Sequence, residues 1–407
     1  MLITSTWSRP FVKASVVILF IGSSVGSIWM LTLSGYSTGI PAGAFALHKE
    51  LQTGAITLLI MGVMYMLVPR IRSIRFTHVR EARISFILMI VELIVYSSSM
   101  IAMDGIDTTT TIVMAVTASI IRLTAIALFS TLVLLMLRVA PRVGRLADYY
   151  FMLALLMMMV YSMLHTLAIA GVSIGIEPLN LIYIWIASVI FTIFGVQYKV
   201  VPVFFSQSTP MKGMDKIALA SSLASSSLLL LQLFLAAVIA MIVSALAFVH
   251  SIYVMRRLTI PEFLYTSEDP HAEEKIARLR FFATLLRISY ATLLLGLIYA
   301  LLYAISPSFN LYDLAIHIVT MGFIGITMMN FIPIMLPPIV GRNVNYTRFN
   351  MIPLIVLLSA VALRIAWNLL PYMIAVERAV FGLSGVVAVA AMLLYINMLH
   401  ASMDPNR

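Results

Sequence analysis

Apolar residues run along this chain in blocks, at about 14–34, 45–68, 84–103, 112–137, 148–171, 180–204, 216–255, 281–304, 312–338, 350–370 and 380–400, with short polar connections between them. At about 1.5 Å of rise per residue, some 20 residues cross the ~30 Å hydrocarbon core, so each block predicts a membrane-spanning helix. The block at 216–255 is about twice the length of one span.

Charge in the connections decides how that long block divides. Arg70, Arg72, Arg75, Arg80 and Arg83 crowd the second connection, Arg138, Arg142 and Arg145 the fourth, Lys199, Lys212 and Lys216 the sixth, and Arg342 and Arg348 a late one. The other connections carry Asp104 and Asp107, Glu177 or Asp313 and almost no Lys or Arg. By the positive-inside rule the basic set is cytoplasmic. Basic connections both precede and follow 216–255, Arg256 and Arg257 on its far side, so the chain crosses an even number of times between them. Two helices joined by a tight outer turn near Gln232–Ala236 are expected. That division predicts an all-α, polytopic bundle of about 12 transmembrane helices in one transmembrane domain, residues 1–407, with both termini cytoplasmic in the plasma membrane.

Composition supports the class and narrows the chemistry. With 62% hydrophobic and 10% charged residues among 407, the chain has too little polar surface for a soluble globule of its size. The net charge of +10 lies in short loops between apolar runs, which points to topology and not to nucleic acid. Absence of cysteine excludes disulfides, thiolate metal sites, iron–sulfur clusters and thioether-linked haem. Arg9 and Lys13 precede a long apolar run without a small-residue cleavage site, so the first helix is expected to be retained. The polar stretch 256–280 reads as a solvated loop.

Two stretches share one layout. LHKELQTGAITLLIMGVMYMLVPR at Leu47–Arg70 and AIHIVTMGFIGITMMNFIPIMLPPIVGR at Ala315–Arg342 each carry a histidine at the head of an apolar run and a proline 21 residues later, His48 to Pro69 and His317 to Pro338. Both histidines are therefore expected near the same membrane face. Each alone reads first as an interfacial histidine bonded to water or headgroups. Two imidazoles at matched depth on separate helices are also what axial ligation of a haem iron requires, and Gly54 and Gly322 leave room for a flat ring near the backbone. The sixth helix ends in a similar step at Val201–Pro202, so helices 2, 6 and 10 share an exit pattern at a spacing of four helices, which suggests three four-helix units.

Twelve helices in three groups of four, with histidines at the outer ends of helices 2 and 10, resemble subunit I of the haem–copper oxidases and nitric oxide reductases. The likeness is nearest to the C-type oxidases and their catalytically reduced, NnrS-like relatives. In that family helix 10 carries His-x-His followed by Gly-aromatic. Here Ala315-Ile316-His317 precedes Gly322-Phe323, so the resemblance makes His317 and His48 low-spin haem ligands, with Ala315 where the high-spin ligand would stand. The family's copper site needs further histidines, yet none occurs between His165 and His250, where Trp185 and the serine-rich 221–227 stretch lie. The resemblance therefore implies a membrane b-type cytochrome with non-covalent haem b, used for electron transfer or small-ligand sensing. It implies no oxygen-reducing centre, and as partners a quinone, an outer-face electron carrier or other respiratory subunits. A haem-free transporter or structural membrane subunit is the competing class.

His165 on helix 5 reads either as a buried histidine bonded to a neighbouring carbonyl or serine, or as a ligand for a second haem. Arg364 and Arg378 read either as snorkelling to headgroups or, following the resemblance, as partners of haem propionates. Glu92 and Arg122 are costly in lipid and should face the interior, as a mutual ion pair or with a proton path through Glu92.

Overall fold

The computed structural model describes residues 6–33, 43–104, 107–139, 145–176, 180–205, 210–255, 260, 264–265, 271–340, 344–369 and 374–403. Among them the chain forms twelve helices and no strand beyond one isolated bridge between Val344 and Met403. The helices are α1 (Arg9–Leu33), α2 (Ala44–Arg72), α3 (Val79–Ile101), α4 (Thr108–Arg138), α5 (Arg145–Ile169) and α6 (Leu181–Phe204). They continue with α7 (Met214–Leu230), α8 (Phe234–Ser251), α9 (Ala272–Ile305), α10 (309–340), α11 (Ile352–Leu369) and α12 (Ile374–Ser402). Ten are long and apolar enough to cross a membrane, which makes this a multi-pass membrane protein.

Local chemistry sets the helix ends. The Asp107 carboxylate accepts from Thr110 N–H at the head of α4, and Ser308 Oγ accepts from Leu311 N–H at the head of α10. At the end of α2, Pro69 sits in the last turn, and Ser73 in the left-handed region sends its N–H back to Arg70 O. The block at 216–255 divides as expected. A turn at Gln232, φ 60°, returns Leu233 N–H to Leu228 O at 2.9 Å and reverses α7 into α8. The serines of α7 hold that hairpin together, Ser222 bonding Ser244 at 2.6 Å and Ser225 donating to Ala237 O at 2.8 Å.

Burial separates three helices from the rest. The most apolar windows of α2 and α6 are each 83% buried and that of α10 is 67%, against 28–50% for the other spans. The helices that share the proline exit are thus the inner ones, while α1 closes the outer ring by packing on both α2 and α12. Between α2, α6 and α10 lies an apolar cavity lined by Ile60, Val63, Val189, Val196, Met328 and Phe331 among others.

Helix α10 is not uniform. Its α-helical start, Phe309–His317, passes into a π-helical segment, Ile318–Gly325, before the α-helix resumes at Ile326–Val340. Wider i→i+5 turns re-phase the helix, so the face that carries Asp313 and His317 is not continued below. Gly322 lies in this segment because a Cβ there would stand 2.7 Å from Thr292 Cβ on α9.

The loop carboxylates Glu262, Glu268 and Asp269, and also Glu177, Arg142, Arg256, Arg257 and Arg342, lie outside the described residues. At the end of the bundle that carries Arg70, Arg75 and Arg138, the partly buried pair Arg72–Asp148 ties α2 to α5.

Candidate functional site

His48 is the fifth residue of α2 and His317 closes the first segment of α10, so both rings lie toward the same end of the bundle. His48 stands within electrostatic reach of His317, Asp313 and Arg364. Helix α1 seats its ring. The His48 Nδ1–H donates to Gly22 O at 2.8 Å, and one turn on, a Cβ at Gly26 would lie 2.4 Å from the same nitrogen. His317 Nδ1–H donates to Asp313 O at 2.9 Å. A carbonyl only accepts, so in both rings Nδ1 carries a proton, and in the neutral ring the lone pair is that of Nε2. Among the described residues neither Nε2 has a hydrogen-bond partner.

Arg364 does not wait for a propionate. Its guanidinium grips Asp313 in a two-pronged pair, Nε to Oδ2 at 2.7 Å and Nη2 to Oδ1 at 2.5 Å, with both side chains buried. Nη1 meets Met30 Sδ at 3.0 Å, and the group lies over the Phe381 ring, 4.9 Å from its centroid. Asp313, which the sequence places in an outward connection, is instead a buried residue of α10, 3.2 Å from His317 Nδ1. One residue thus orients both the histidine a turn later and the arginine from α11. Arg378 falls within α12, and its side chain lies outside the described residues.

His165 belongs to a second cluster, on the opposite face of α2. Arg122 from α4 bonds Glu50 through Nη1 and His165 through Nη2. Glu92 from α3 stands 3.8 Å from Arg122 Nη1, and Glu50 Oε2 lies 3.7 Å from His165 Nε2. The sequence pairing of Arg122 with Glu92 is therefore only the outer contact, and Glu50 is the partner. Because Arg122 donates to Nδ1, His165 takes the tautomer opposite to that of His48 and His317. Its Nδ1 lone pair is engaged by Arg122, and its Nε2 stands 3.7 Å from Glu50, beyond hydrogen-bond range.

Whether a haem suits the first cluster is a question of donor chemistry. The iron asks the protein for two axial nitrogens, and a ligating histidine ordinarily donates its other ring N–H to a carbonyl or carboxylate. His48 and His317 meet that requirement through Gly22 O and Asp313 O. Neither histidine lines the cavity between α2, α6 and α10. Among the described residues no three His, Asp, Glu or Cys side chains gather to cage a bare metal ion.

Sequence reasoning missed Glu50 and Asp313. Asp313 had a signal: it precedes His317 by four residues, which places both on one helical face. Glu50 had less, since beside Lys49 at a helix head it reads as an interfacial charge.

A family model described as a domain of unknown function (DUF8744) matches residues 94–403. The match takes in Arg122, His165, Asp313, His317 and Arg364, while His48, Glu50 and Glu92 precede it. No curated protein matches the chain.

Proposed function

The chain belongs to the DUF8744 family, and we propose that this member is a membrane b-type cytochrome that holds one haem between His48 and His317. The observation that carries the reading is the shared preparation of the two imidazoles: same end of the bundle, Nδ1–H tied to a backbone carbonyl, Nε2 unpartnered among the described residues. A bound haem with both axial positions filled supplies one-electron transfer with little reorganisation. The chain's own residues set the geometry. Gly22 and Gly26 fix the His48 ring, Asp313 fixes the His317 ring, and Arg364 balances the Asp313 charge so that the aspartate stays ionised and oriented. The likeness to haem–copper oxidase subunit I is part of this proposal. So are a plasma-membrane location with the basic end cytoplasmic, and electron partners such as a quinone, an outer-face carrier or other respiratory subunits.

The test is an optical and electron-paramagnetic spectrum of the purified protein and of His48→Ala and His317→Ala. A low-spin, six-coordinate haem is expected, lost or turned high-spin in either variant. Full haem retention with unchanged spin state in both variants overturns the reading.

The second reading, a haem-free transporter or structural subunit, draws on the buried Glu50–Arg122–His165 cluster, since intramembrane ionisable groups commonly mark transport paths. Absence of haem from protein purified with haem supplied during growth would favour it.

A further inference from the structure

In the cluster between α2, α3, α4 and α5 one carboxyl is left over. Arg122 gives one terminal nitrogen to Glu50 and the other to His165. Glu92 faces the same guanidinium, yet its nearer oxygen stands 3.8 Å from Nη1, beyond hydrogen-bond range. Its side chain is fully buried, and neither carboxyl oxygen has a hydrogen-bond partner among the described residues. The ionisable groups beside it are Tyr96 from its own helix, Arg122 from α4 and Tyr161 from α5, while Lys49 and Glu50 from α2 and His165 from α5 stand around the same Arg122.

A carboxylate at this position would carry a full charge in a low-dielectric interior with no hydrogen-bond donor to it and only the Arg122 charge, already shared with Glu50, 3.8 Å away, a costly state for the group. A carboxylic acid there carries none. We propose that Glu92 is a proton-binding carboxyl in the membrane interior, neutral in the arrangement described and able to release its proton by turning onto Arg122. The landing place for the ionised form is the same guanidinium: Arg122 Nε makes no hydrogen bond among the described residues, and Nη1 lies 3.8 Å from the carboxyl. The exchange moves one proton and no electron. Water at the His48 end gives the proton up when the carboxyl O–H bond forms and takes it back when that bond breaks. His165 and Glu50, four and six residues from the ends of their helices, are the cluster members nearest that end.

Infrared spectra of the full-length protein in liposomes test it. At neutral pH a protonated-carboxyl carbonyl band is expected above the amide region, shifted down in deuterium oxide, bleached on alkaline titration and absent from Glu92→Gln. Glu92→Gln copies the shape and neutrality of the protonated acid, so it should fold and melt like the parent chain. Identical carbonyl spectra in the parent and Glu92→Gln, a band that no pH bleaches, or collapse of Glu92→Gln into aggregate each overturns the proposal, the last by showing that the fold needs the ionised carboxylate.

Discussion

His48 and Glu50 lie two residues apart on α2, and their side chains enter two different buried clusters. His48 turns to Gly22 on α1, and Glu50 turns to Arg122 on α4. Two steps of about 100° around a helix place them nearly back to back. The head of α2 is thereby a partition. On one side stand His48, His317, Asp313 and Arg364, the donor set suited to an iron, and on the other Glu50, Arg122, His165 and Glu92, the set suited to a proton.

The close approach of α1 to α2 should be sensitive to a single methyl group. In Gly26→Ala the new Cβ falls 2.4 Å from His48 Nδ1, so the ring has to leave its Gly22 bond. Overpacking of this kind destabilises by about 1–3 kcal/mol. A spectrum like that of His48→Ala is expected, with the protein still monodisperse on size exclusion. An unaltered haem spectrum in Gly26→Ala would show that the His48 ring is not seated on α1.

The Asp313–Arg364 pair should behave as a buried unit. Removing one partner leaves the other charged and uncompensated, at about 3–5 kcal/mol, so Asp313→Ala and Arg364→Leu should each lower thermal stability sharply. The double variant Asp313→Leu/Arg364→Leu should lose much less than the sum of the two. Losses that simply add, measured by detergent unfolding, would mean that the pair is not coupled.

The hairpin of α7 and α8 makes a topological prediction. Reporters placed after Lys212 and after Arg257 should lie on one side of the membrane and a reporter at Gln232 on the other, because the chain reverses there. On the basic-loop reading, Arg75 and Arg145 share the side of Lys212, and Asp107 shares that of Gln232. Lys212 and Arg257 on opposite sides would disprove the hairpin as a membrane-crossing unit.

Much of this architecture was legible in the sequence for simple reasons. Apolar block length counts spans, and the sign of the connections decided that 216–255 folds back at Gln232, where Gln232 does take φ 60°. The recurrence of Pro69 and Pro202 near the ends of α2 and α6 marked two of the three inner helices. What could not be read were contacts between helices. Periodicity shows that Arg122 faces inward but not which carboxylate reaches it, so Glu92, at mid-helix, was preferred to Glu50. Arg364 was left to an external anion because Asp313, close to a connection, counted as a topology marker. The π segment after His317 has no composition signal at all, since its apolar residues suit an α-helix equally well.

Finally, the two clusters should be energetically separate although one helix serves both. His165→Leu removes the acceptor of an Arg122 N–H and leaves that donor buried, at about 1–3 kcal/mol, whereas His165→Gln keeps an acceptor oxygen and should recover much of the loss. Neither change touches His48, His317 or their carbonyl partners, so the haem spectrum should stay that of the parent chain in both. Combined with Asp313→Ala, His165→Leu should add to within about 0.5 kcal/mol, as expected for sites without shared partners. A coupling well above that, or loss of the low-spin signal in His165→Gln, would show that α2 transmits the state of one cluster to the other, and proton occupancy near Glu92 would then be tied to the haem proposed at His48.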